Sequence, residues 1–240
     1  MIILYCICVV VLLFLIYGLI PTIWIRLFSV GIIKRGTAER KEFFLTFDDG
    51  PDYVYTPQLL DLLKSYKVPA AFFIVGERAQ RDTDLLKRMS KEGHTVGIHH
   101  QSHSNSWLLT PGKLKKEISR CASVIQHATG EKACFYRPPW GRFNLFSLPL
   151  SREYQVIMWS SITGDWKAEQ GKDKLAAKLK KNLHSGCIYL LHDNGENPGA
   201  DDEAPSVMLQ ALGEFLEFAK SQGYIGMSLE ELKKTNNKRG

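Results

Sequence analysis

No charged side chain occurs between Met1 and Ile25, and Ile2 to Ile20 is almost continuously apolar, with Pro21 following. Such a stretch has no wet face to offer to water. As a helix at about 1.5 Å per residue it spans roughly 28 Å, close to the hydrocarbon thickness of a bilayer. A secretory signal peptide needs a basic leading region and a small-residue cleavage site. Neither is visible here. The reading is therefore an uncleaved transmembrane anchor over residues 1–25, with Tyr17 and Trp24 suited to the membrane interface. Arg26, Lys34, Arg35 and Arg40 come next in a basic juxtamembrane linker, residues 26–41. By the positive-inside rule, that flank alone favours a domain on the cytoplasmic side.

Residues 42–235 read as one globular domain. The chain has 240 residues, 45% hydrophobic and 23% charged, ordinary values that exclude a disordered chain. Its net charge of +6 points to anionic surroundings such as phospholipid headgroups or a wall polymer. No Lys/Arg stripe interleaved with aromatics is present, so nucleic acid is not an expected partner. Cys6 and Cys8 lie in the apolar span. Cys121, Cys134 and Cys187 have neither disulfide nor zinc-ribbon spacing and read as buried free thiols.

Strand-like and helix-like segments alternate through the domain. Phe43–Phe47, Ala70–Val75, Thr95–Ile98, Cys134–Tyr136, Gln155–Trp159 and Cys187–Leu191 have strand character. Between or after them, helices are predicted from Thr56-Pro57, over Thr83–Glu92, Lys113–Ala128 and Lys172–Leu183, and over Pro205–Lys220. This alternation predicts an α/β fold with a largely parallel sheet. Polar residues recur at strand ends: Asp48 and Asp49, His99, Arg137, Asp165, His192. In a (β/α) barrel those ends share one face, whereas an open doubly wound sheet gathers fewer of them, so the barrel is favoured.

The stretch Phe43–Pro51 ends in two adjacent carboxylates and a Gly-Pro break. A turn can swing both carboxylates into one pocket, and like charges that close need a cation between them. About fifty residues on, His99, His100 and His103 stand within five positions. Two of them with Asp49 would make a two-His, one-carboxylate metal site, although spacing alone does not say which two.

Taken in order, these segments resemble the polysaccharide deacetylase family, the NodB homology domain of carbohydrate esterase family 4. The likeness lies in Thr46-Phe-Asp-Asp-Gly-Pro51, Gly93-His-Thr-Val-Gly-Ile-His-His-Gln-Ser-His103, Arg137-Pro-Pro-Trp-Gly141, Trp159-Ser-Ser-Ile-Thr-Gly-Asp-Trp166 and Ile188-Tyr-Leu-Leu-His-Asp193. It covers about residues 42–232. The resemblance implies a distorted (β/α) barrel of the NodB type, here after one transmembrane helix. It implies hydrolytic removal of N-acetyl groups from an N-acetylglucosamine-containing glycan such as peptidoglycan. It also implies a divalent ion, usually zinc, on Asp49, His99 and His103. Asp48 would be the general base and Arg137 would keep it ionised. His192 would be the general acid, tuned by Asp165. Trp140 would offer its backbone N–H to the oxyanion, and Trp166 and Leu190 would wall the acetyl pocket. Two positions depart from the family pattern: His100 replaces a Ser or Thr, and Ile162 replaces an acidic residue. A lipid-linked amino sugar as substrate and a non-catalytic sugar-binding relative are the competing expectations. A monomer is expected, with its domain outside the membrane where acetylated glycans lie, against the charge rule.

Overall fold

A computed structural model describes residues 1–237. The apolar start forms one continuous rod of three parts: helix α1 (Ile2–Phe14), a π-helical turn (Leu15–Leu19) and helix α2 (Ile20–Phe28). The rod is long and apolar enough to cross a membrane, and no residue of α1 is buried. Its last turns do not hang free. Pro21 has no N–H to offer to the Tyr17 carbonyl four residues back. The Leu145 N–H donates to that carbonyl instead, at 3.0 Å. Thr22 Oγ1 donates to Phe143 O (2.8 Å) and accepts from Phe143 N (2.9 Å) and Trp107 Nε1 (2.8 Å). Ile25 is buried in the domain core. Gly18 faces the Trp107 ring so closely that a Cβ there would stand 2.9 Å from it.

Beyond the rod come strands β1 (Ile32–Ile33) and β2 (Glu42–Asp48), helix α3 (Tyr55–Tyr66), strand β3 (Ala70–Ile74), helices α4 (Gly76–Ala79) and α5 (Thr83–Lys91), and strand β4 (Thr95–Ile98). The chain continues through α6 (Pro111–Thr129), β5 (Phe135–Tyr136), α7 (Ser147–Leu150), β6 (Gln155–Ile157), β7 (Ser161–Ile162), α8 (Gly171–Lys181), β8 (Cys187–His192), α9 (Ala204–Ser221), β9 (Ile225–Gly226) and α10 (Leu229–Asn237). All strand pairs are parallel, in the order β1-β6-β5-β4-β3-β2-β8-β7, and β9 pairs with the start of β2. Among the described residues no pairing joins β7 to β1, so the sheet curls into a distorted barrel that stays open on one side.

The expected strands and helices are present, with ends shifted by a residue or two. One cysteine differs from expectation: Cys121 and Cys187 are buried, whereas Cys134 is half-buried. Helix ends follow local chemistry. The Thr110 hydroxyl accepts from Lys113 N to open α6, Pro111 fills its first turn, and Gly130 closes it with φ 77°.

Period-two alternation sorts β2 into two layers. Phe43, Leu45 and Phe47 join the outer core beneath the helices. Phe44 faces the barrel interior with Phe73, Phe135 and Ile188, and α10 closes that end through Leu229 and Leu232. Thr46 and Asp48 share the interior side with Phe44. In β8 the same rule puts Tyr189 and Leu191 outward and aligns Leu190 and His192 with Thr46 and Asp48. The inward rows of two adjacent strands therefore end in a carboxylate beside an imidazole.

Candidate active site

The polar strand ends converge. A cavity of about 300 Å³ is lined by Asp48, Asp49, His99, His103, Trp140, Trp166, Leu190 and His192 among others. Arg137 and Asp165 stand directly behind it, each bonded to a lining residue. A larger, open depression beside Glu77, Arg120 and His127 contains none of these groups.

Three ligand atoms of Asp49, His99 and His103 lie within 4.8 Å of one another. Asp49 Oδ1 is 3.0 Å from His103 Nε2 and 3.3 Å from His99 Nε2, yet it has no hydrogen-bond partner among the described residues. Donors held about 2.1 Å from a tetrahedral ion stand roughly 3.4 Å apart. An orphaned buried oxygen facing two imidazole nitrogens at that spacing fits a divalent cation. His99 Nδ1 donates to the carbonyl of Arg137 at 2.8 Å, so its Nε2 keeps the lone pair toward the site. Burial works to raise the Asp49 carboxyl. The imidazoles of His103 and His99 and the charge on His192 outweigh it and hold Asp49 well below the usual carboxylate range.

Backbone conformation selects which histidines meet. Asp49 (φ 78°), His100 (68°), His103 (54°) and Trp140 (55°) all lie in the left-handed region. Each such residue costs about 1–3 kcal/mol, and a cluster at one pocket reads as functional strain. The turn at His100 directs that ring away from the site. Its Nδ1 donates to Ser104 O (2.9 Å), and its Nε2 accepts from the Tyr136 hydroxyl (2.8 Å). With both nitrogens engaged in full burial, the ring is neutral, its pKa pushed down to about 3 by desolvation above all. His100 thus braces the loop, and the imidazoles beside Asp49 are those of His99 and His103.

Asp48 is 4% exposed and carries a fixed counter-charge. Arg137 Nη1 donates to Asp48 Oδ1 at 2.6 Å and to Thr46 Oγ1 at 2.8 Å. Nε and Nη2 donate to the carbonyls of Ile157 and Met158, and the guanidinium lies 4.2 Å from the Phe73 ring centroid. A fully buried arginine is tolerable only when its donors are engaged in this way. Across the cavity, Asp165 accepts from the His192 backbone N–H (2.6 Å) and faces its Nδ1 at 3.1 Å. Burial alone would lower the His192 pKa. The Asp165 charge, its hydrogen bond and the more distant carboxylates of Asp49 and Asp48 reverse this and raise it to about 10. The Trp166 ring meets His192 edge-on at 5.5 Å, and Trp140 does the same to His103 at 4.4 Å. The Trp140 amide opens a short 3₁₀ turn, Pro139–Gly141, where a backbone N–H has no intrahelical partner.

Sequence reasoning missed part of the wall. Trp159 and the loop Asn197–Ala200 also line the cavity, as does Ile162, half exposed at its mouth. Arg78 connects that loop to the backbone of Asp49. It donates to the Asp49 carbonyl (2.5 Å) and to Asn197 Oδ1 (3.0 Å). The Asn-Pro-Gly run marks a turn in the sequence, but nothing there ties it to this pocket.

A curled parallel sheet with a carboxylate–imidazole site at its C-terminal rim defines a class of metal-dependent hydrolases. Residues 35–159 match the family described as Polysaccharide deacetylase, and the chain belongs to that family. It is 38% identical to a peptidoglycan-N-acetylglucosamine deacetylase of Bacillus cereus, over 78% of this chain and 86% of that one. It is 34% identical to the peptidoglycan-N-acetylmuramic acid deacetylase PdaA of Bacillus subtilis, over 82% and 73% of the two chains. The solved structure of PdaA, a family 4 carbohydrate esterase, superposes with a TM-score of 0.76 at 30% identity, covering 91% of this chain and 89% of that one. A family pseudoenzyme from Bacillus anthracis superposes at 0.73 with 26% identity, covering 83% and 68%, so the fold by itself does not carry activity.

Proposed function

We propose that the protein is a zinc-dependent peptidoglycan N-deacetylase, anchored by its N-terminal helix with the catalytic domain outside the membrane. The observation that carries this reading is one cavity that holds Asp48 and His192, side by side on adjacent strands, together with the Asp49, His99 and His103 donors. Amide hydrolysis needs an activated water, a stabilised oxyanion and a proton for a poor amine leaving group. Zinc on those three donors would supply Lewis acidity and water activation. Asp48, paired with and oriented by Arg137, takes the proton of the attacking water. The Trp140 N–H donates to the developing oxyanion. His192, held as an imidazolium beside Asp165, gives its proton to the departing amine. Trp166 and Leu190 enclose the acetyl methyl.

A pseudoenzyme would not need all these groups together, and their joint presence favours catalysis. The relatives' substrates support peptidoglycan as the acetylated polymer. The test is acetate release from peptidoglycan or chitooligosaccharide by zinc-loaded protein. Asp48→Asn is expected to keep its metal and lose about 10²–10⁴-fold in turnover. Near-native rates in that variant would remove Asp48 from the role of base. Protease added to wall-stripped cells is expected to degrade the domain without lysis, and protection until lysis would place it inside.

A further inference from the structure

Two surfaces of α2 occupy the same turns. Pro21, Thr22 and Ile25 are buried against the domain, while Ile20, Ile23, Trp24, Leu27 and Phe28 are each more than half exposed. From Tyr17 to Phe28 the rod runs roughly 17 Å at about 1.5 Å per residue. Over that height the domain flank stands at the same depth as an outward helix face of these five apolar side chains, with the exposed Arg26 as the one charge of the helix, set over the Trp159 ring. The domain edge beside Tyr17 is apolar too. Leu108 is 73% exposed, Leu145 51% and Phe146 40%. Leu145 N–H bonds the Tyr17 carbonyl, the Tyr17 hydroxyl donates to Leu109 O, and the Phe146 ring lies 6.2 Å from that of Tyr17. The exposed Lys34 and Arg35 come after the helix.

We propose that this collar, the outer face of α2 together with Leu108, Leu145 and Phe146, lies in the interfacial layer of a phospholipid bilayer. The inference rests on the reading of the N-terminal helix as a membrane anchor. The collar is continuous with a helix of mean hydropathy 3.0 that is almost wholly unburied, so the lipid that would surround the helix would also meet the collar's edge. Apolar and aromatic side chains flanked by Lys and Arg have the composition of interfacial segments. The collar also leads to the catalytic pocket. Gly18 and Phe14 pack on Trp107, Arg142 lies over both Trp107 (4.6 Å) and Trp140 (5.2 Å), and Trp140 abuts His103. Only two side chains separate the rod from the Trp140 wall. The pocket therefore works at the membrane surface, on glycan strands next to the headgroups and not on the outer wall.

The test uses the full chain in phosphatidylcholine–phosphatidylglycerol vesicles, with Cys6, Cys8 and Cys134 replaced by Ser. A polarity-sensitive fluorophore is placed at Leu145→Cys, at Leu108→Cys, or at Gln222→Cys. Gln222 serves as control because its carbonyl bonds Lys41 at the opposite end of the sheet. Nitroxide-bearing lipid is expected to quench the Leu145 and Leu108 labels about twofold or more beyond the control, with blue-shifted emission, as insertion by several Å requires. Equal quenching at all positions, in protein that stays with the vesicles, would overturn the collar and leave the helix as a plain tether. Blue-shifted emission without lipid quenching would also overturn it, in favour of a second copy of the chain. Release of the protein by alkaline carbonate would overturn the anchor itself. Acetate release by each labelled protein reports that it is folded.

Discussion

At the scale of single residues, the site divides into groups that could hold a cation and groups that position those groups. Asp49→Ala, His99→Ala or His103→Ala is expected to lower zinc content, measured on purified protein, since each removes one of three ligands. His100→Ala is expected to keep zinc and to unfold at a lower temperature, because it strands the Tyr136 hydroxyl and the Ser104 carbonyl at about 1–3 kcal/mol each. Zinc loss in His100→Ala alone would mean that the wrong pair has been assigned. On the proposed mechanism the alkaline side of the pH dependence is set by His192. Its pKa is raised, so the proton is present through neutrality and is lost as pH rises through that value. A cation on Asp49, whose carboxylate lies 4.0 Å from His192 Nε2, withdraws some of that support, so the alkaline limb of kcat falls below about 10. Asp165→Asn is expected to move this limb to lower pH by roughly 1–3 units. An unmoved limb would detach His192 from the acid step. Much of this site was legible because Asp48-Asp49 and the histidine cluster carry recognisable chemistry in short spacings. The choice between His100 and its neighbours was not, since it depends on positive φ at His100 and His103, which spacing does not encode. Arg78 and Asn197 were invisible for a related reason: their role exists only as contacts between distant loops.

At the scale of elements, the long periodic helices and the five- to seven-residue strands β2 and β3 were readable. The two-residue strands β1, β7 and β9 were not, because so short a run shows no period. The apolar rod was read as a membrane helix from its composition. Its second job was hidden in two small residues. Pro21 leaves the Tyr17 carbonyl open for Leu145, and Thr22 fastens Trp107 and Phe143 through one hydroxyl. Thr22→Val keeps the shape and removes all three hydroxyl bonds. It is expected to destabilise detergent-solubilised protein by about 1–3 kcal/mol, since the Trp107 and Phe143 groups lose their partner in a buried place. An unchanged melting temperature would show that the helix contributes no fixed contact to the domain.

For the whole molecule, the rod is part of the fold on its domain side. Removing residues 1–28 would uncover Trp107 and Phe143 and take Ile25 out of the core. The shortened protein is expected to melt several degrees lower than the full chain in the same detergent, as the loss of about 2 kcal/mol would produce in a domain of this size. Coincident melting curves would contradict this. A different consequence arises from β2, which lies between β3 and β8 and carries Asp48 in register with His192. Thr46 and Tyr189, bonded across that seam, are 143 positions apart in the chain. Pairing so remote is slow, because a long loop must close before its contacts contribute. During synthesis, the apolar rod and the segments that carry Asp49, His99 and His103 emerge well before β8 can dock. One side of β2 then waits as an unpaired edge, a place where nascent chains stick to each other. Asp48 and His192 meet only after β8 has emerged, so on the proposed mechanism a newly made copy stays catalytically silent until β8 closes the seam.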